Sequence, residues 1–201
     1  MKTIIKGALA IAVFGALTAA PVLAQNDAAG PPVLAKELAK AKAGSVTLRV
    51  RSSAMNNGGS IDDQYTQNGE NMSPPLSWSK GPAGTISYVV LAEDSGVNRP
   101  DPIVHWIVYD IPRNTTTLGE DLPKEATLPN GANQGLNVRG ATGFIGPKPP
   151  AGQTHPYHFQ VFALNKTLRI DPTKASRKDV VDAMRNSVLA SGDFVANYTG
   201  K

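Results

Sequence analysis

Ile103-Val104-His105-Trp106-Ile107-Val108-Tyr109-Asp110-Ile111 is a run dense in β-branched and aromatic side chains, closed by Pro112 and preceded by Pro102. Such side chains pack well on a pleated surface and lose rotamer freedom in a helix, so the run reads as a buried strand. Ile86–Ala92 has the same character, and Asp94 closes it. The connection between the two is long enough to return the chain antiparallel. Together they predict the centre of a sheet.

Outward from that centre, Tyr157–Leu164 reads as another buried strand, and Phe194–Tyr198 adds a last one. In Ser45–Arg51 the residues Val46, Leu48 and Val50 alternate with polar neighbours, the period of a half-buried strand. Asn56–Trp78 is polar and turn-rich and ends in Ser73-Pro74-Pro75-Leu76-Ser77-Trp78, which predicts a long ordered surface loop anchored by Leu76 and Trp78. Between Arg113 and Arg139 little periodicity survives, so that stretch is expected to cover the sheet rather than extend it. A helix is expected over Arg169–Ser191: Ser176 and Asp179 have capping-box spacing, Val180, Val181, Met184, Val188 and Leu189 share a face, and Gly192 stops it. The sum is one mostly β domain with one or two peripheral helices.

The first residues set the compartment. Lys2 and Lys6 precede an apolar stretch over Gly7–Ala20 that is short for a bilayer of about 30 Å, and Val22-Leu23-Ala24 offers a peptidase site. Residues 1–24 therefore read as a signal peptide cut after Ala24, and the protein is expected to be periplasmic or secreted, without stable membrane insertion afterwards. Residues 25–44 read as a flexible leader with room for a short helix over Val33–Ala43, and the folded domain as 45–201. Losing Lys2 and Lys6 lowers the formal charge from +4 to +2, with both signs mixed along the chain, and no nucleic-acid partner is implied. The chain has no cysteine, which excludes disulfides, thiolate nucleophiles and cysteine-ligated zinc.

Three histidines are present, and His105 stands inside the decisive strand, where an imidazole costs free energy unless it is paired or faces a cavity. Asp94, at the end of the neighbouring strand, is its expected partner. A carboxylate there would raise the imidazole's proton affinity, and the imidazolium would attract a phosphate-like anion. A satisfied core histidine is the structural alternative. Gly140–His155 is rich in Gly and Pro, which suits a loop of fixed path whose bare amides can approach an anion, with Phe144 as a wall. It lacks both the Gly-Lys-Ser/Thr ending of a phosphate loop and a dinucleotide fingerprint, so no cofactor is expected. His155 and His158 are three apart, which on a strand points them to opposite faces and argues against a shared metal. No Gly-x-Ser-x-Gly elbow is present, and nothing requires catalysis.

Four stretches together resemble the phosphatidylethanolamine-binding family, which includes Raf kinase inhibitor proteins and their bacterial relatives. They are Asn68–Trp78; His105-Trp106 with Val108–Pro112; Gly135-Leu136-Asn137 with Gly140; and Gly143–Pro150 with Gly152, His155, Tyr157 and Phe159. The resemblance runs from about Ser45 to the C-terminus. It implies a large central antiparallel sheet packed on a smaller one, and an anion pocket at one end. It also implies ligand-binding roles for Asp94, His105, Asn137, Phe144, Gly146, Pro147 and His155. The family's usual Asp-Pro-Asp-Ala-Pro is replaced by Asp94-Ser95-Gly96-Val97-Asn98, which predicts a looser, less acidic rim. The expected function is non-catalytic binding of a small anionic or phosphate-bearing ligand. The alternative is inhibition of a protease or kinase by surface contact, with a target protease the partner an exported protein could meet.

Overall fold

The computed structural model describes residues 30–41 and 46–201. The expected signal peptide and the first residues of the leader lie outside that set. From Gly30 the chain enters helix α1 (Leu34–Ala41) and then the short strands β1 (Val46–Thr47) and β2 (Val50–Arg51). A loop with one 3-10 turn at Asp63–Tyr65 leads to β3 (Leu76–Trp78), β4 (Ser87–Asp94), β5 (Ile103–Pro112), β6 (Thr117–Leu118) and β7 (Asn133–Gln134). The chain ends with β8 (Thr154–Leu164), helix α2 (Arg177–Met184) and β9 (Val188–Thr199).

Among the described residues these strands form a six-stranded sheet in the order β1-β9-β8-β4-β5-β7 and a three-stranded sheet β2-β3-β6. The predicted pairing of β4 with β5 is antiparallel, with Asp94 opposite Ile103. The large sheet is antiparallel except at its edge, where β1 runs parallel to β9.

Both faces of the large sheet are covered, which is why β4 is buried at every position and reads as a continuous apolar run. On one face Tyr88, Val90, Trp106, Val108, Phe159 and Val161 meet Leu48, Leu76 and Trp78 around the small sheet. On the other, Val89, Leu91, Ile107, Tyr109 and Phe162 meet Leu34 and Ala35 of α1 and Val180, Val181 and Met184 of α2. Each such side chain contributes about 1.5–3 kcal/mol by leaving water.

Helix α1 is fastened to its sheet by polar bonds as well. The Ala35 amide, an orphan donor at the helix start, donates to Gln160 Oε1 at 2.7 Å. Gln160 Nε2 in turn donates to Glu93 at 2.7 Å, and Arg177 of α2 reaches the same buried carboxylate at 2.5 Å. Just before α1, Gly30 lies so close to the Ser95 carbonyl that an added Cβ would stand 2.2 Å from it.

The C-terminal helix differs from expectation. Its capping box of Ser176 and Asp179 forms, but the helix spans only Arg177–Met184, and Val188 and Leu189 open β9 instead. Gly192 is no helix stop. It sits inside β9 where the chain before β2 crosses, and a Cβ there would stand 2.2 Å from the Leu48 carbonyl oxygen. Pairing with the whole length of β8 outweighs the helical spacing of those apolar residues, and the last strand is correspondingly longer than Phe194–Tyr198.

Candidate functional site

His105 reaches its position through a break in alternation. Ala92 pairs with Trp106 and Glu93 with Val104, so His105 is an extra residue on β5, a β-bulge. Val104 packs toward the helices and Trp106 toward the small sheet. Without the inserted residue, strict alternation would put His105 on the helix side; the bulge instead turns it to the face that carries Asp94, His155 and Tyr157. These four residues line one open cleft of about 490 Å³ at the β4 C-terminal end.

Asp94 and His105 do meet at this cleft, but they do not pair, contrary to the sequence reading. Asp94 Oδ2 accepts from His155 Nδ1 at 2.8 Å, and Oδ1 accepts from the Gly96 amide at 2.8 Å. His105 Nδ1 donates to the Ile145 carbonyl at 2.7 Å. The reason is the register: Tyr157 stands opposite Asp94 on β8, which brings His155, two residues along on the same face, alongside the carboxylate. The tight turn at Asp94-Ser95-Gly96 closes over the His155 ring, and a Cβ on Gly96 would stand 2.7 Å from the His155 Cγ. This turn holds the rim where the family pattern has prolines.

The proton affinity of His105 also runs opposite to expectation. Burial holds it below the ordinary 6.5, and this outweighs the raising influences of the Ile145 carbonyl and the Asp94 charge. The ring is therefore neutral near pH 7. With Nδ1–H committed to Ile145, the bare Nε2 is left for the cleft. Tyr157 packs edge-on against this ring, centroids 5.1 Å apart. Burial, then the Asp94 charge, keeps its phenol far above the ordinary tyrosine range, so it stays a donor. Its hydroxyl is buried without a hydrogen-bond partner among the described residues.

The glycine-proline loop forms the lip, but not with the residues expected. Ile145, Lys148, Pro149 and Pro150 line the cleft. Gly146 and Pro147 are buried behind them as fasteners: the Gly146 amide donates to Asn71 Oδ1 at 2.6 Å, its carbonyl accepts from Gln67 Nε2 at 2.7 Å, and Pro147 O accepts from the Gln67 amide at 3.1 Å. Phe144 is not a cleft wall. It points into the core, edge-on to Trp106 at 5.7 Å, because the neighbouring Ile145 takes the opposite, cleft-facing side. Asn137 does not line the cleft either. Its side chain donates to the Gly143 carbonyl and accepts from the Arg139 amide, both at 2.9 Å, which fixes the turn that presents Val138 and Arg139.

Several lining residues escaped the sequence reading. Tyr157 carried a usable signal, since it follows His155 by two on a strand and must share its face. Arg139, whose guanidinium donates to Gln67 Oε1 at 2.8 Å, lies in an aperiodic loop and carried none. Among the described residues no group of three or more His, Asp or Glu is placed to hold a metal ion. His158 lies on the other face, bonded to Asp193 at 2.9 Å.

A two-sheet β fold with a cleft at one end of its central sheet, walled by two histidines, a tyrosine and a Gly-Pro lip, defines a class of β domain. The family model described as phosphatidylethanolamine-binding protein matches residues 51–199, and the chain belongs to that family. A UPF0098 protein of Aquifex aeolicus is 40% identical over 161 residues, 78% of this chain and 91% of that protein. One from Methanothermobacter thermautotrophicus is 37% identical over 152 residues, 75% of this chain and 98% of its own. The crystal structure of Escherichia coli YbcL, described as a member of the mammalian family, superposes with a TM-score of 0.72 at 31% identity, covering 78% of this chain and all of that one.

Proposed function

We propose that this chain is an exported, non-catalytic binding protein whose cleft takes a small phosphate-type anion. The observation that carries the reading is the Tyr157 hydroxyl, a buried donor in the cleft with no acceptor. An unmet donor in such a place costs about 1–3 kcal/mol, which a ligand oxygen would recover. The Asp94 carboxylate accepts from Gly96 and His155 and, although close enough for its charge to act on the phenol, makes no hydrogen bond to this hydroxyl.

Charge agrees with this. Arg139 and Lys148 stand at the mouth, while the Asp94 carboxylate is held by the Gly96 amide and His155. A phosphate oxygen would accept from Tyr157 and the mouth cations, and a protonated phosphate oxygen would donate to His105 Nε2. In favour of binding over catalysis, the far nitrogen of the Asp94-bound His155 faces the Gln153 amide oxygen at 3.3 Å rather than a hydroxyl.

Calorimetric titration with inorganic phosphate and phosphoethanolamine tests the reading. Tyr157→Phe should weaken binding about ten-fold, the worth of one hydrogen bond to a charged acceptor. Unchanged affinity in that variant would sink it. Export is tested separately, by the mass of the mature chain recovered from periplasm and medium: a chain beginning at Gln25 is expected.

A further inference from the structure

The end of the sheet farthest from the cleft carries a surface of a different kind. Ser87 and Asp94 bound β4, so its two ends are separated by roughly 23 Å at about 3.3 Å per residue. Around the Ser87 end the connections gather exposed Lys80, Arg113, Lys166 and Arg185, and Arg49 joins them, its backbone N–H donating a hydrogen bond to Ser79 Oγ at 3.0 Å. None of these five cations is in an ion pair among the described residues.

The nearby acids are occupied. Asp110 accepts from the amides of Leu168 and Arg169 at 2.6 and 3.1 Å, and Asp171 accepts from that of Thr173 at 3.0 Å. Lys80 and Arg113 flank a shallow depression of about 460 Å³ floored by Gly81, Pro82 and Gly84. Beside it Ile86 is 48% exposed, one of three large apolar side chains left so open among the described residues.

We infer that this pole docks on an anionic lipid bilayer, with Lys80, Arg113 and Lys166 among the headgroup phosphates and Ile86 at the acyl boundary. Cations alone would suit any polyanion. The exposed isoleucine between them favours a bilayer, because a nucleic acid offers it no apolar medium, whereas an interface does. Docking in this sense holds the cleft mouth toward solution, so that the cleft samples soluble ligands rather than lipids of the same membrane.

Co-sedimentation with vesicles of phosphatidylcholine containing one-third phosphatidylglycerol tests the inference. The wild-type chain should bind these vesicles, should ignore pure phosphatidylcholine, and should be released as salt shortens the reach of the field. Lys80→Ala with Arg113→Ala should lower the partition coefficient about thirty-fold, at about 1 kcal/mol per cation near such a surface. Ile86→Ser should weaken it further. Arg99→Ala, which removes an exposed cation from the opposite, cleft end of the sheet without touching the cleft lining, should bind vesicles as the wild type does, so the loss is specific to this pole. Binding that ignores phosphatidylglycerol or is unchanged in the double variant would overturn the inference, as would a preference for duplex DNA over vesicles through the same residues.

Discussion

Replacing Asp94 with alanine separates the observed pairing from the one the sequence suggested. The carboxylate holds the His155 imidazole and the Gly96 amide, each at 2.8 Å. Gly96 is exposed, so its amide regains water and little is lost there. The His155 side chain is only 9% exposed, and a buried donor stripped of a charged acceptor costs about 1.5–3 kcal/mol. At about 2–4 °C per kcal/mol for a domain of this size, Asp94→Ala should lower Tm by about 3–12 °C.

A double-mutant cycle locates the energy. Asp94→Asn and His155→Gln, measured singly and together by urea unfolding, should couple by about 1–2 kcal/mol, whereas Asp94→Asn with His105→Gln should couple by less than about 0.5 kcal/mol. A larger coupling to His105 would refute the description of the site.

Other outcomes follow from the same geometry. Burial depresses His105, so the unfolded chain takes up this proton first: its contribution to stability is intact above about pH 6.5 and is lost as pH falls toward the folded value, while phosphate affinity should rise over the same descent. An NMR titration should place the His105 midpoint below 6.5, and Asp94→Asn should lower it further by removing a nearby negative charge. Phe144→Leu should destabilise the fold by about 1–3 kcal/mol in urea yet leave phosphate affinity unchanged, because the ring packs on Trp106 and not in the cleft. Arg177→Ala leaves the Glu93 carboxylate, itself 2% exposed, without its charged partner and with the Gln160 amide as its donor, and should cost about 3 kcal/mol by thermal unfolding.

How far the sequence could be read depended on the range of the interactions. Strands β4, β5 and β8 were legible because both of their faces are buried, which concentrates β-branched and aromatic residues. The same property hid the bulge. With apolar residues at Val104, Trp106 and Ile107 alike, no alternation remained to show a slip of phase at His105. The cleft's location and its pairing of elements were legible through Asp94, His105 and His155, but the partner of the carboxylate was decided by β4–β8 register, a relation between residues 61 apart in sequence. Gly192 and the apolar spacing of Val188 and Leu189 imitate the end of a helix, and only the whole length of β8 pulls them into a strand. Phe144 takes its expected place in the cleft from the family resemblance, and loop residues carry no rule for which side they face that could correct it.

The path of the chain also bears on how the protein can be handled. Gly30 rests on the Ser95 carbonyl at the rim, and Gly200 exchanges hydrogen bonds of 3.0 and 2.9 Å with Gly152 and Gln153, the latter a cleft residue. Attachments made at Gly30 or at Lys201 would thus crowd the ligand's doorway. An affinity handle or sensor dye belongs on the exposed side of α2, at Lys178, which lines neither the cleft nor the depression at the far pole.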